Sequence, residues 1–308
     1  MKIVITGAAG LIGQNLVPRL KAQGYDIVAI DKHPANTATL RRLHPEIEVI
    51  EADIALDNGW QSSLDGIEAA VLGHAQIGGL VEDEFIRNNV TATQRLLEEV
   101  DRRGNCRLVH ISSSVVNSSA KDWYTETKKT QEAYVLSTGL PVVVLRPTLM
   151  FGWFDRKHLG WLARFMQKAP VFPVPGNGRF LRQPLYAGDF CSIIDACLAR
   201  DFSGGVYNIS GQEKIDYIDL IRVVREANGS TTPIVKIPYT LFAALLRTYG
   251  LIDKNPPFTV KQLQALVTPD LFEVIDWPSI FNVRSTSLRD AMFETFRDPV
   301  YSSVVLEF

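Results

Sequence analysis

The chain reads as an α/β protein: a doubly wound parallel sheet with helices on both faces, followed by a smaller mixed α/β lobe. Two observations carry that reading. Lys2–Thr6 (KIVIT) is a β-branched run, residues 11–21 carry helical apolar spacing, and residues 26–30 (DIVAI) are apolar again, so the chain opens strand, helix, strand. The alternation then continues, with strands expected at 46–50, Ala69–Leu72, Arg107–Ile111 and 141–145, and helices over 82–103 and 119–137. Strands separated by helices of this length call for right-handed crossovers and a parallel sheet.

Beyond Arg146 the rhythm changes. Pro147, Pro170, Pro173, Pro175 and Pro184 crowd one stretch together with Gly176-Asn177-Gly178, which signals loops. Later elements are expected at Gly205–Ile209 (strand), 217–226 (helix), from Pro238 (helix) and 285–293 (helix). Residues 1–150 therefore form the first domain, completed by a segment near 181–205. Residues 151–180 and 206–308 form the second lobe.

Bulk composition excludes several classes. With 46% hydrophobic and 21% charged residues over 308 positions, a sizeable core is available and disorder is not expected. Net charge is −2 and no stretch concentrates Lys and Arg, so a nucleic-acid partner is not expected. Cys106, Cys191 and Cys197 lack any C-x-x-C spacing and read as reduced, packed thiols. The five histidines never fall at metal-ligand spacing, so no metal is expected; His110 reads as a packed or capped side chain. Strand-like residues begin at Lys2 and no apolar run approaches a bilayer span, which points to a cytoplasmic chain with no membrane partner.

Directly after the first strand comes Thr6-Gly7-Ala8-Ala9-Gly10-Leu11-Ile12-Gly13. Glycine at those positions permits a tight turn, close approach of backbone to a pyrophosphate, and tight helix-on-strand packing, while the helix N-terminus supplies aligned N–H dipoles. Asp31 closes the second strand, eighteen residues after Gly13. A carboxylate there accepts from adenine-ribose hydroxyls and repels a 2′-phosphate, which favours NAD over NADP; a solvated turn acid is the plainer alternative, and Lys32, Arg41 and Arg42 lie near enough to soften the preference. Asp53, after the third strand, suits the adenine amino group or a helix cap equally.

Tyr124 and Lys128 are four apart in a helical stretch and share one face. A phenol is a poor base at neutral pH, and a nearby ammonium lowers its pKa by roughly 1–3 units. The pair therefore suits proton exchange with a hydroxyl, although an ordinary core helix has the same spacing. Ser112-Ser113-Ser114, at the end of the fifth strand, can hydrogen-bond a substrate oxygen.

Taken in order, TGAAGLIG, Asp31, Asn89 in NVTAT, the serine run and YTETK resemble the extended short-chain dehydrogenase/reductase family, whose first domain is a Rossmann-type sheet. Arg146-Pro147, Gly176-x-Gly178, Arg182 seven residues before Asp189, and Tyr207-Asn208-Ile209 are similar to its NAD-dependent epimerase/dehydratase branch acting on nucleotide sugars. The resemblance covers about residues 1–230.

That resemblance makes Tyr124 the acid/base and Lys128 the group that binds the nicotinamide ribose. Ser113, with Ser114 as alternative, orients the substrate oxygen. Cofactor contacts fall to Gly7, Gly10, Leu11, Ile12, Gly13, Asp31, Lys32, Asp53, Ile54, Asn89, Ser112, Tyr124, Lys128 and Pro147. Substrate contacts fall to Ser114, Thr148, Leu149 and Arg182, the last pairing with substrate phosphate or, more plainly, forming a surface ion pair. The implied activity is NAD-dependent hydride transfer at a secondary alcohol or ketone of a nucleotide sugar. Ser114 and Val115 occupy the positions where 4,6-dehydratases of the family carry an acidic pair, which disfavours dehydration. Thr148-Leu149-Met150 lacks a frequent sugar-contacting Asn, and Asn117 replaces a frequent Tyr. The alternatives are a dehydrogenase or reductase of a free sugar, sugar acid or steroid-like alcohol, and a non-catalytic NAD(H)-binding subunit or sensor. The family also implies a homodimer built on the 82–103 and 119–137 helices.

Overall fold

The computed structural model describes residues 1–104, 106–199, 204–252, 259–268 and 271–307. Residues 200–203 of the segment expected to complete the first domain, and 253–258, 269–270 and 308 of the second lobe, lie outside the described residues.

The first half alternates as the sequence suggests: β1 (Lys2–Thr6), α1 (Leu11–Ala22), β2 (Asp26–Asp31), α2 (Pro34–Leu43), β3 (Glu48–Glu51), β4 (Ala69–Leu72), α3 (Glu82–Phe85), α4 (Ala92–Arg103), β5 (Arg107–Ile111), α5 (Trp123–Ser137) and β6 (Val142–Pro147). Then come β7 (Met150–Phe151), α6 (Leu159–Lys168), β8 (Phe172–Pro175), β9 (Leu181–Arg182), β10 (Leu185–Tyr186), α7 (Ala187–Ala199), β11 (Gly205–Ile209), β12 (Ile215–Asp216), α8 (Tyr217–Ala227) and β13 (Ile234–Ile237). The chain ends with α9 (Tyr239–Ile252), α10 (Val260–Val267), α11 (Trp277–Phe281) and α12 (Leu288–Arg297).

Seven parallel strands form the central sheet in the order β11-β6-β5-β4-β1-β2-β3. Alternate side chains of each strand enter opposite apolar layers, which is why these strands read as unbroken hydrophobic runs. Ile3 and Ile5 pack with Leu16, Val17 and Leu20 of α1 and with Ile193 and Ile194 of α7, whereas Val4, Val28 and Ile30 pack with Leu96, Leu97 and Val100 of α4. The strand at Gly205–Ile209 pairs with β6 at the edge of this sheet, so the sheet extends four residues past position 205, where the first domain was expected to end.

Three helices begin or run differently from the sequence pattern. α5 starts at Trp123, not Ser119, because the Asp122 carboxylate caps it by accepting from the Thr125 amide and hydroxyl at 2.9 and 2.8 Å. α12 starts after Ser287, which accepts from the Asp290 amide. Between α3 and α4 the helix continues through a π turn, Ile86–Thr91, whose extra residue per turn directs both Asn88 and Asn89 inward.

The final residues return to the first half of the chain. The Asn36 side chain on α2 donates to the Glu307 carbonyl at 3.1 Å and accepts from the Glu307 amide at 2.8 Å, while Tyr301 packs on Trp153 with centroids 4.6 Å apart.

Candidate active site

The strand order reverses between β1 and β4, and in an open parallel sheet the crevice beyond the strand ends at that reversal is where ligands bind. Four segments leave the C-terminal ends of the strands there: the glycine loop after β1, Gly73-His74 after β4, the serine run after β5, and Thr148 after β6.

The glycine loop is shaped by close approach. Gly7 has φ +67°, and a Cβ on it would lie 2.6 Å from the Gly73 carbonyl oxygen; a Cβ on Gly13 would lie 2.4 Å from Ala8 Cα. Only glycine lets β1, α1 and the Gly73 turn come this close. No side chain caps α1 at Gly10, which leaves the first-turn amides for an anion. Leu11 packs against the Trp153 and Tyr301 cluster and Ile12 against the core, so what these two residues offer a ligand is backbone.

Asp31 accepts from the Ala9 amide and from the His33 amide, each at 3.0 Å, which fixes its carboxylate beside the glycine loop. Burial pushes that carboxyl above its ordinary range, and the two amides pull it back. The Lys32 ammonium reaches across to Asn88 at 2.7 Å and Asp53 at 3.3 Å, bridging the ends of β2 and β3 to the π turn. Asp53 also accepts from the Ala55 amide at 2.9 Å, a turn contact of the capping kind, and Ile54 is a core side chain. The acyclic fit of glycine loop, uncapped helix and Asp31 suits a dinucleotide.

Asn89 organises the other wall. Its side-chain oxygen accepts from the Gln76 amide at 2.6 Å, and its amide group donates to the Thr127 hydroxyl at 2.9 Å. Asn88 holds the Gln76 side chain at 2.9 Å. The π turn, which periodicity does not reveal, is what lets two adjacent asparagines grip one loop.

The phenol of Tyr124 stands above its ordinary pKa: burial raises it, the neighbouring Ser113 hydroxyl opposes, and Asp122 adds to the rise. The sequence reading expected Lys128 to lower the tyrosine; in this structure desolvation outweighs any such effect. Lys128 is 1% exposed and donates to the Ile111 carbonyl at 3.1 Å and to Gln131. Burial lowers its ammonium to about 7, against an opposing contribution from Glu132.

Glu132, four residues beyond Lys128, was not singled out by sequence. It accepts the Ser112 hydroxyl and forms an ion pair with Arg146. The Ser112 hydroxyl is thereby engaged by Glu132. An acidic residue one turn past a lysine was the only signal for it.

Thr148 and Pro147 are buried at the end of β6, and the Thr148 hydroxyl has no hydrogen-bond partner among the described residues. Leu149 is exposed. Arg182 sits on β9, donates to the Thr268 carbonyl at 2.8 Å and lies over the Phe180 ring at 5.4 Å, so it joins the second lobe together. Asp189 accepts from the Thr286 amide and hydroxyl and serves as a tie between α7 and the C-terminal segment.

The chain has relatives among known proteins. The chain is 27% identical over 269 residues, 77% of its length and 72% of the relative's, to a 3 beta-hydroxysteroid dehydrogenase/Delta 5-->4-isomerase of Mycobacterium tuberculosis. It is also 27% identical over 260 residues to a dTDP-glucose 4,6-dehydratase of Streptomyces griseus, covering 74% of this chain and 79% of that one. The fold is shared with the UDP-glucuronic acid 4-epimerase of Bacillus cereus, solved in complex with NAD, at a TM-score of 0.72 and 23% identity over 97% of this chain and 96% of that one. The family model described as NAD dependent epimerase/dehydratase matches residues 3–210, and the chain belongs to that family.

Proposed function

We propose that this protein is an NAD-dependent enzyme that oxidises a secondary alcohol, or reduces the matching ketone, of a nucleotide sugar, with Tyr124 as the acid/base. The observation that carries the reading is the Tyr124 phenol set beside the Ser113 hydroxyl, one helical turn before the buried Lys128 ammonium. A substrate hydroxyl in that place meets Ser113, which orients its oxygen, and the Tyr124 oxygen, which takes its proton. Lys128 favours the phenolate form that Tyr124 must hold before it accepts this proton, and it can donate to a ribose hydroxyl. NAD, when bound, would supply a hydride acceptor at the substrate carbon and, once reduced, a hydride donor. A substrate re-reduced on its opposite face would leave as an epimer; one that leaves oxidised would be a ketone.

The chain's own residues fit that cofactor: Gly7, Gly10 and Gly13 admit the pyrophosphate, Asp31 faces the adenosine ribose, and Lys32 with Asp53 borders the adenine. Thr148, whose buried hydroxyl has no hydrogen-bond partner among the described residues, and Ser114 are the polar groups proposed for the sugar, with Leu149 beside them. Arg182 is proposed for the phosphate. Ser114 and Val115 supply no carboxylate next to the tyrosine, which favours epimerisation or simple oxidation and reduction over dehydration. Residues beyond 150, apart from β11 and α7, form the proposed substrate lobe.

A second reading has its own support. The Mycobacterium relative is named for a hydroxysteroid, and Arg182 is already hydrogen-bonded within the lobe. In that reading the same Tyr124, Lys128 and Ser113 act on an apolar alcohol. Thermal-shift screening with NAD, NADP, UDP-, GDP- and dTDP-sugars and a hydroxysteroid separates the two, since stabilisation grows with ligand concentration over dissociation constant. Further stabilisation of the NAD-loaded protein by a nucleotide sugar supports the first reading; response to the steroid alone supports the second.

We also propose a homodimer through the helix pair α4 and α5. Ile86, Trp123 and Leu136 are exposed large apolar side chains on or beside that pair. Light scattering should return twice the chain mass, and Leu136→Glu should shift it to the single-chain value.

A further inference from the structure

His74 lies where the glycine loop and the catalytic helix meet, and the proposed reaction leaves it unused. Its Nδ1 is 2.7 Å from the Thr6 hydroxyl at the end of β1, and its Nε2 is 2.9 Å from the Thr93 hydroxyl on α4. Thr93 in turn accepts from the Gln131 side-chain amide at 2.8 Å, and the Gln131 oxygen accepts from the Lys128 ammonium. A continuous buried chain of hydrogen bonds thus runs from the first strand to the lysine.

The direction of each bond follows from counting donors. The Thr93 hydroxyl has one proton, which it gives to the Asn89 carbonyl at 2.8 Å. Its oxygen then accepts from Gln131 and from His74, using both lone pairs. That requires the His74 proton on Nε2, so Nδ1 is the acceptor for Thr6. A second ring proton would turn the Thr6 hydroxyl toward the Val71 carbonyl, 3.4 Å away, a poor substitute. Electrostatics agrees: burial first, then the Lys128 charge, press the ring toward its neutral form, against Asp53, and hold its pKa near about 3. His74 is therefore a neutral link at neutral pH.

We propose that His74 is a positioning residue for Lys128: acting through Thr93 and Gln131, it holds the ammonium in place against the end of the central sheet. The inference rests on the reading of Lys128 as the cofactor-binding lysine. Lys128 has three N–H groups, of which Ile111 and Gln131 take two among the described residues; what fixes Gln131 therefore fixes where the third points. Other charged or titratable groups facing this corner are Glu132 on α5, His110 on β5 and Asp53 after β3. None of them bridges Thr6 to Thr93.

The test uses NAD as ligand and needs no substrate. Titration calorimetry in buffers of different ionisation enthalpy counts the protons exchanged when NAD binds, as a function of pH. The parent should show an exchange centred near 7, which Lys128→Met abolishes. His74→Asn keeps an acceptor near the Nδ1 position but cannot reach Thr93; it should raise the midpoint by about one unit, because a loosened ammonium regains hydration. Gln131→Met, which cuts the chain at another link, should do the same, and the double variant should add nothing. His74→Gln, whose amide can reach the Nε2 position and donate to Thr93, should restore the parent midpoint. An unmoved midpoint in His74→Asn, or equal shifts in the Asn and Gln variants, overturns the inference. Persistence of the exchange in Lys128→Met overturns instead the underlying reading of Lys128.

Discussion

Glu132 is paired with Arg146 while accepting the Ser112 hydroxyl, so one buried carboxylate ties the helix bearing Tyr124 and Lys128 to the ends of β5 and β6. The carboxylate is almost fully enclosed and the guanidinium partly exposed, so removing the acid leaves a charge that water reaches only in part. Glu132→Ala should cost about 2–3 kcal/mol in urea denaturation at neutral pH. Burial alone would raise Glu132, but the bonds from Arg146 and Ser112 outweigh it and hold the carboxyl below its ordinary value. A carboxyl depressed in the folded state stabilises above its unfolded pKa, about 4.3. That contribution is lost as pH falls through the lower folded value. Glu132→Gln should flatten this part of the acid unfolding profile.

His110 presents the opposite case. It is fully buried on β5, both ring nitrogens lack a hydrogen-bond partner among the described residues, and burial, with the Lys128 charge adding to it, drives its pKa well down. The unfolded chain takes up a proton near pH 6.5 that the folded chain refuses, so stability falls as pH drops below about 6.5. His110→Leu removes both the unsatisfied nitrogens and this slope. It should stabilise by about 1 kcal/mol, a rise of roughly 2 °C in Tm by calorimetry at pH 6.

Asp31 is proposed to face the adenosine ribose and to separate the two nicotinamide cofactors. Its hold on the Ala9 amide means that removal would loosen the glycine loop as well as that proposed contact. Asp31→Ala should weaken NAD binding by about tenfold, equivalent to about 1.4 kcal/mol. The same change should narrow the preference over NADP. Unchanged discrimination in direct binding measurements would assign the preference to another group.

The sheet was legible because its signals are local and repeated. β1, β4 and β5 lie where β-branched runs place them, and Gly7, Gly10, Gly13 and Asp31 come together because a short strand–helix–strand unit leaves little choice. Tyr124 and Lys128 share a face because helix geometry puts them there. What the sequence hid depends on tertiary contact. The π turn at Ile86–Thr91 breaks the helical period over a few residues, so the joint grip of Asn88 and Asn89 on Gln76 left no pattern. Glu132 and Arg146 are fourteen positions apart on different elements. A serine run does not show which hydroxyl a buried carboxylate will claim, so the Ser112–Glu132 bond left no sequence signal. Arg182 matches a phosphate-binding pattern, yet its guanidinium is engaged by a carbonyl on α10's far end, a contact spanning 86 residues of sequence.

The role of Tyr124 is the central claim. Parent and Tyr124→Phe protein should first be shown to bind NAD with similar affinity and melt at similar temperature. Each is then mixed with the nucleotide sugar that gives the largest thermal shift, and turnover is followed by chromatographic analysis of the sugar. Loss of the phenolic proton acceptor should reduce kcat by about 10²–10⁴-fold, with KM changed little. Parent-like kcat in Tyr124→Phe, with NAD still required, would contradict Tyr124 as the acid/base.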